Sequence, residues 1–181
     1  MLTTLDKGQG RSPSRHYATM SASTLRTLPV AKLAAPDSVL ALWVYGPRLP
    51  GALALITGWG FVYKSIGLVW VKTTRQGTVH FGTGYYTRKA SEILLLATRG
   101  RGLRRYDCAV CDVILAQRRE HSRKPDEAAA ALERLFGPVR RIELFARTVR
   151  SGWTAWGDQA PVEGVTGTPP TGKCSTFLPM V

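Results

Sequence analysis

Residues 117–159 read QRREHSRKPDEAAAALERLFGPVRRIELFARTVRSGWTAWGDQ, and this stretch decides the fold. Pro125 suits a first helical turn, and Asp126 and Glu127 follow it where the positive end of the helix dipole favours carboxylates. AAAALERLF is built of strong helix formers, so a helix is expected over 126–136. Gly137-Pro138 ends it, and the apolar run that follows Arg141 reads as a buried strand over 141–146. A basic loop precedes the helix and a Trp/Gly-rich exit follows the strand. Polar residues gathered before a helix and after a strand are where open α/β sheets hold ligands, so the stretch suggests a site as well as a fold.

Working outward, strands and helices alternate. Residues 1–16 are a Gly/Ser/Arg-rich loop. Ser21 to Leu33 reads as a short helix, capped by Ser21 or Ser23 with Pro29 near its end. Ser38 to Tyr45 is a β-rich apolar run and a buried strand; Pro50 to Gly58 carries a helix that Gly58-Trp59-Gly60 stops. A second strand region falls in two pieces, 61–63 and 67–72. A long polar loop over 73–89 leads to a strand over 91–98, then a basic connector and a strand over 110–116. This order indicates a layered α/β sheet with helices on both faces. The Pro/Gly/Thr-rich segment 160–181 is expected to be a disordered or loosely attached tail.

A chain of 181 residues, 44% apolar, has the length of one domain and can bury a sizeable core. Its charge is unusual: 25 Lys+Arg against 12 Asp+Glu leave +13. That balance favours polyanionic partners, and it carries no information about which base is read. The cations fall in same-sign clusters, Arg99-Arg101-Arg104-Arg105, Arg118-Arg119-Arg123-Lys124 and Arg140-Arg141; a solvated basic surface is the alternative. No apolar run is long enough to span a membrane and the polar N-terminus has no signal core, so a cytoplasmic protein is expected. Cys108 and Cys111 form a lone CxxC, read as packing at a strand start. His16, His80 and His121 have no metal-ligand spacing, so no metal is expected.

HSRKPDE, RRIELFAR and GWTAWGDQ, taken with HYATM at 16–20, LALWVYGPRLPGALALITGWGFVYKSIGLVWVKT at 40–73 and GTGYYTRKASEILLLATRG at 82–100, carry a resemblance. The chain resembles the MT-A-seventy-like N6-adenine methyltransferases over residues 6–159, and several ordered motifs are far more specific than one. The resemblance implies a Rossmann-like, S-adenosylmethionine-dependent methyltransferase fold, a three-layer sandwich over 1–159. The activity it implies is methyl transfer from S-adenosylmethionine to the N6 amine of adenine in nucleic acid, DNA rather than RNA. That amine is a poor nucleophile, so the enzyme must hold it in line and accept its N–H bonds. The family does this with Asp-Pro-Pro-Trp, which is absent from these 181 residues. The expected fold therefore lacks its N-terminal catalytic strand, and residues 1–16 are the remnant of the active-site loop. A misplaced start and a truncated remnant both stay open. A non-catalytic nucleic-acid-binding remnant and an inactive partner subunit, in a homo- or heterodimer, are the competing functions.

Residue by residue, the resemblance places Tyr17 in the active-site loop. It sets Trp43 and Trp70 beside the adenine pocket, with core packing as the alternative for both. Lys72 lines the pocket or reaches a phosphate. Glu92 lies beside the active site in a supporting catalytic role, and a carboxylate entering an apolar strand is costly unless paired. Tyr85, Tyr86, Arg88 and Lys89 mix aromatics with cations, a composition for stacking on bases and binding phosphate. On the cofactor side, Lys124 corresponds to a lysine near the methionine carboxylate, Arg147 to an arginine against the ribose, and Glu143 orients neighbours. Asp158 and Gln159 stand where relatives carry Asn-Gln or Asn-Glu near the adenosine, and an ionised Asp can only accept where Asn also donates.

Overall fold

The computed structural model describes residues 20–84, 86–120 and 123–157 and the backbone of 178–180. Two short helices open it, α1 (Ala22–Thr27) and α2 (Val30–Leu33). They replace the single helix expected over 21–33, because Pro29 has no N–H to continue the first. Ser21 is the N-cap, its hydroxyl accepting from the Thr24 N–H at 3.1 Å. Strand β1 (Ser38–Val44) follows, then a 3₁₀ turn at Gly46–Arg48, α3 (Leu49–Gly58) and β2 (Val62–Thr73). The two pieces expected for β2 form one strand, with register shifts at Tyr63/Ser65 and Ile66/Leu68. Next come β3 (Ser91–Arg99), β4 (Val113–Gln117), α4 (Asp126–Phe136), β5 (Arg141–Leu144), β6 (Trp153–Trp156) and β7 (Leu178–Met180).

These strands form one mixed sheet in the order β4-β2-β3-β1-β7-β5-β6. β3 runs antiparallel to β1 and β2, while the β2–β4, β1–β7, β5–β7 and β5–β6 pairs are parallel. Six strands thus point one way and β3 the other. All seven residues of β1 are buried, as a central strand covered on both faces must be. Its alternate side chains feed two cores. Val39, Ala41 and Trp43 join Leu68, Trp70, Leu94, Ile114 and Ala116 beneath Ala128, Ala129, Leu132 and Phe136 of α4. Leu40, Leu42 and Val44 join Leu95, Ala97, Ile142 and Leu144 beneath Val30, Leu33 and Ile56 of the other helices. Helices cover both faces, as the alternation of elements predicts. Each fully buried leucine, such as Leu132, contributes about 2 kcal/mol.

α4 spans the residues expected of it, except that Pro125 is the N-cap, in extended conformation, rather than the first helical residue. Gly137 ends it at φ +65°, where a Cβ would also meet the Tyr106 ring at 2.7 Å. The expected packing of Cys108 and Cys111 at a strand start is corrected: both are exposed, and β4 begins only at Val113. Among the described residues no helix is long and apolar enough to cross a membrane. Of the tail, residues 160–177 and 181 lie outside the described residues, and Leu178–Met180 pairs within the sheet.

Candidate active site

Because β3 runs against its neighbours, its first residues lie beside the last residues of β1 and β2. Trp70 pairs across from Glu92, and Trp43 from Leu94. Lys72 follows Trp70 by two residues, so both project from one face of β2. That face is covered by α4, and the loop leading into α4 carries Lys124. The chain leaves β1 toward β2 on one side and leaves β5 toward β6 on the other. Carboxyl ends that diverge in this way mark the crevice where open α/β sheets bind ligands.

Glu92 is the centre of the cluster. Lys72 Nζ donates to its Oε1 at 2.7 Å and Lys124 Nζ to its Oε2 at 2.5 Å. The Glu92 side chain retains 17% of its exposure. Burial by itself raises its pKa, but the Lys124 charge and the hydrogen bonds from Lys124 and Lys72 outweigh that and hold the carboxyl below the usual glutamate range. Each lysine also sits over an indole: Lys72 is 5.1 Å from the Trp70 ring centroid and Lys124 is 5.6 Å from that of Trp43. The two indoles meet edge to face, centroids 6.4 Å apart. Trp70 Nε1 donates to the Ala116 carbonyl at 2.9 Å, whereas the buried Nε1 of Trp43 has no acceptor. Five residues singled out in the sequence, Trp43, Trp70, Lys72, Glu92 and Lys124, are therefore one assembly. Both tryptophans are core residues, as the packing alternative for them had it.

Arg88 is placed elsewhere. Its guanidinium donates to the Phe81 and Gly82 carbonyls of its own loop and lies 5.4 Å from the exposed Phe81 ring. Tyr86 is 93% exposed, and Lys89 donates to Thr87 Oγ1 at 3.1 Å. The 74–90 loop is tied back to β2 by the His80 N–H bond to the Lys72 carbonyl, 2.8 Å. Tyr17, Tyr85, Asp158 and Gln159 lie outside the described residues.

Glu143 projects from β5, partly buried. Burial raises its pKa and Asp126 adds to the rise, against the opposing charge of Arg150. Arg147 follows β5 in the next loop, also partly buried. Where the chain leaves β5, Phe145 has φ +60° and packs edge to face on Trp156 at 5.4 Å. A Cβ on Gly157 would lie 2.6 Å from the Ala146 carbonyl oxygen, so only glycine lets β6 end against this turn.

Sequence reasoning missed one cluster. Asp126, read only as a helix-dipole carboxylate, accepts from Arg150 Nη2 at 2.8 Å and from Arg119. The Arg150 bond, followed by that from Arg119, keeps its carboxyl below the usual range despite some burial. Lys-Pro-Asp-Glu signals a helix start, but nothing in its spacing points to an arginine 24 positions later. Among the described residues no three His, Cys, Asp or Glu side chains converge as metal ligands would.

The fold and cluster define a mixed α/β domain with a charged, tryptophan-floored site at the carboxyl edge of its sheet. The MT-A70 family model matches residues 6–159, and the chain belongs to the MT-A70 family. It is 33% identical over 155 residues to the type II methyltransferase M.MunI of Mycoplasma sp, covering 83% of this chain and 62% of that protein. It is 37% identical over 150 residues to an MT-A70-like N(6)-adenosine-methyltransferase of Arabidopsis thaliana, covering 79% and 21% of the two chains. To METTL3 of Homo sapiens, an N(6)-adenosine-methyltransferase catalytic subunit, it is 33% identical over 148 residues, covering 79% and 25%. The chain thus spans under two thirds of the bacterial relative and about a quarter or less of these eukaryotic ones.

Proposed function

We propose that this chain forms the cofactor side, and part of the base-binding side, of an S-adenosylmethionine-dependent N6-adenine methyltransferase domain of Rossmann-like, three-layer form. The observation that carries this reading is Glu92 gripped by Lys72 and Lys124 over two indoles, at the carboxyl edge of the parallel strands. S-adenosylmethionine supplies a methyl group on a sulfonium. The donor set fits its carboxylate end: the Lys124 ammonium has three N–H donors and spends one on Glu92, and it stands just before the N-terminus of α4. Glu143, its carboxyl pushed up by burial, and Arg147 beyond it suit the hydroxyls of a ribose, and the resemblance assigns Asp158 and Gln159 to the adenosine.

On the substrate side, Trp43 and Trp70 are too deeply packed to offer a free face, and they act as a floor that fixes the two lysines. The exposed Phe81 and Tyr86, with Arg88 over the Phe81 ring, provide the stacking platform for a base. The resemblance assigns Tyr17 to the active-site loop, near cofactor and substrate. The substrate class is DNA, the reading supported by the large covered share of the bacterial type II methyltransferase. In a duplex the adenine must first leave the stack. The second reading is a non-catalytic nucleic-acid-binding protein or an inactive partner subunit, supported by the net charge of +13.

Titration calorimetry with S-adenosylmethionine, run beside transfer of a labelled methyl group to unmethylated DNA, tests both readings. Measurable cofactor binding that falls at least about tenfold (some 1.4 kcal/mol) in Lys124→Met is expected, with little or no transfer. An unchanged affinity in that variant removes Lys124 from the cofactor site. Robust transfer by the parent chain excludes the second reading.

A further inference from the structure

Three arginines converge on one carboxylate at the start of α4. Arg150 Nη2 donates to Asp126 Oδ1 at 2.8 Å, Arg119 Nη1 donates to Oδ2, and Arg123 Nη2 stands 3.9 Å from that same oxygen. They come from two separate parts of the chain. Arg119 and Arg123 belong to the segment between β4 and α4, which also carries Lys124. Arg150 belongs to the turn between β5 and β6, which also carries Arg147. Asp126 is the first residue of α4 and follows Lys124 by two positions. One carboxylate thus joins the two segments that hold the cationic residues of the cofactor side. Glu143 of β5 also feels the charge of Arg150 and of Asp126, so it stands at the same junction.

The fold has other means of seating α4. Ala128, Ala129, Leu132 and Phe136 are buried in the core beneath it. About two turns beyond Asp126, Glu133 Oε1 accepts from Trp153 Nε1 at 2.6 Å and ties α4 to β6 a second time. Asp126, Arg119 and Arg150 keep 42%, 36% and 25% of their side-chain exposure, and ion pairs open to water add little to stability. What such a junction does well is fix a distance. Here the distance is that between the Lys124 segment and the Arg147 turn. A ligand that spans both gains from finding them already set, because their ordering no longer counts against its binding.

We infer, resting on the cofactor roles of Lys124 and Arg147, that Asp126 is a positioning residue for the cofactor. Through Arg150 and Arg119 it holds the two segments at the spacing that one S-adenosyl ligand bridges, with the amino-acid end at Lys124 and the ribose at Arg147. Its own oxygens are engaged by guanidiniums, so it acts through these neighbours rather than on the ligand. A ligand that reaches only the Arg147 turn has nothing to gain from the junction.

The probes are S-adenosylhomocysteine and 5′-methylthioadenosine, two thioethers of adenosine of which only the first carries the amino-acid carboxylate. Titration calorimetry with the full chain is expected to show the first bound more tightly. Asp126→Asn is expected to weaken S-adenosylhomocysteine about tenfold and methylthioadenosine by less than about twofold, and Arg150→Gln to do the same from the other side of the junction. In the Lys124→Met background, adding Asp126→Asn is expected to weaken neither probe further, since residues that act as one unit are not additive. The Tm of each single variant is expected to stay within about 5 °C of the parent. Equal losses for the two probes, a further loss in the Lys124→Met background, or a larger fall in Tm would each mark a structural role and overturn the inference. A parent that prefers S-adenosylhomocysteine and keeps that preference in both single variants overturns it too, and leaves the cofactor roles of Lys124 and Arg147 standing. A parent that binds neither probe removes those roles, and the inference with them.

Discussion

Glu92 is the side chain on which the site depends, because two ammonium groups converge on its two oxygens. Glu92→Gln leaves Lys72 and Lys124 facing one another with no carboxylate between them, and is expected to cost about 2 kcal/mol in urea unfolding at neutral pH. The pH dependence has a definite sign. A carboxyl whose folded pKa is lowered contributes stability above its unfolded value and loses it as pH falls through the folded value. The parent chain should therefore lose stability on acidification below the ordinary glutamate range, and the Gln variant should lose less. Glu143 is the opposite case: its raised pKa means stability falls as pH rises through the window above the unfolded value. Glu143→Gln is expected to raise Tm at pH 7 and leave it unchanged below pH 4, and an unchanged Tm at pH 7 would refute that. Sequence pointed to all five residues of the Glu92 assembly, yet not to their arrangement. Lys124 lies 32 positions from Glu92, and only the reversed course of β3 brings the two together.

Among the elements, α4 was the most legible, since its apolar face, acidic start and glycine end all agree. The strands flanking it were legible as buried runs, but their ends were not. β5 stops at Leu144, before the Phe145 and Ala146 expected of it, because Phe145 turns to positive φ and the Ala146 N–H goes to the Trp156 carbonyl at 2.9 Å. No propensity marks a phenylalanine for that conformation. Gly157 is what permits it, from a position in the next strand's exit. Gly157→Ala is expected to cost about 2 kcal/mol, since the new methyl meets backbone rather than a movable side chain. It should also shift the loop that carries Arg147, so binding of S-adenosylmethionine is expected to weaken with Tm. A Tm within a degree of the parent would show that the β5–β6 turn yields more easily than its geometry indicates. The β1–β7–β5 arrangement was not legible at all. Leu-Pro-Met has neither the length nor the β-propensity that marks a strand.

For the whole molecule, the excess of positive charge is smaller where it is most clustered. Arg119 and Arg123 are turned toward Asp126 and Glu120, Lys124 toward Glu92, and Arg101 toward Asp37 at 2.8 Å. The sequence shows the clusters but not this pairing: Glu92 and Asp37 come from 32 and 64 positions away, whereas Glu120 and Asp126 are near neighbours of the arginines they meet. Arg104 and Arg105 are exposed and form no ion pair among the described residues. They are among the cations available to phosphate. Binding of a duplex oligonucleotide is expected to weaken steeply from about 50 to 200 mM salt. Replacing both arginines by serine should lower the slope of log K against log salt by about 2 without altering base preference. A slope unchanged by the double substitution would move the phosphate track to another face.

The placement of β3 also has a consequence in time. α3 carries the chain from β1 to β2 and leaves between them a gap one strand wide, which stays empty until residues 91–99 have been added. Neither β1 nor β2 can complete its ladder with the other in the meantime. A ribosome making this chain releases two apolar strands well before the strand that joins them, and the 17 residues over 74–90 set the delay. The same late insertion that brings Glu92 to Lys72 leaves two apolar strands unpaired while they wait, and unpaired apolar strands are sticky.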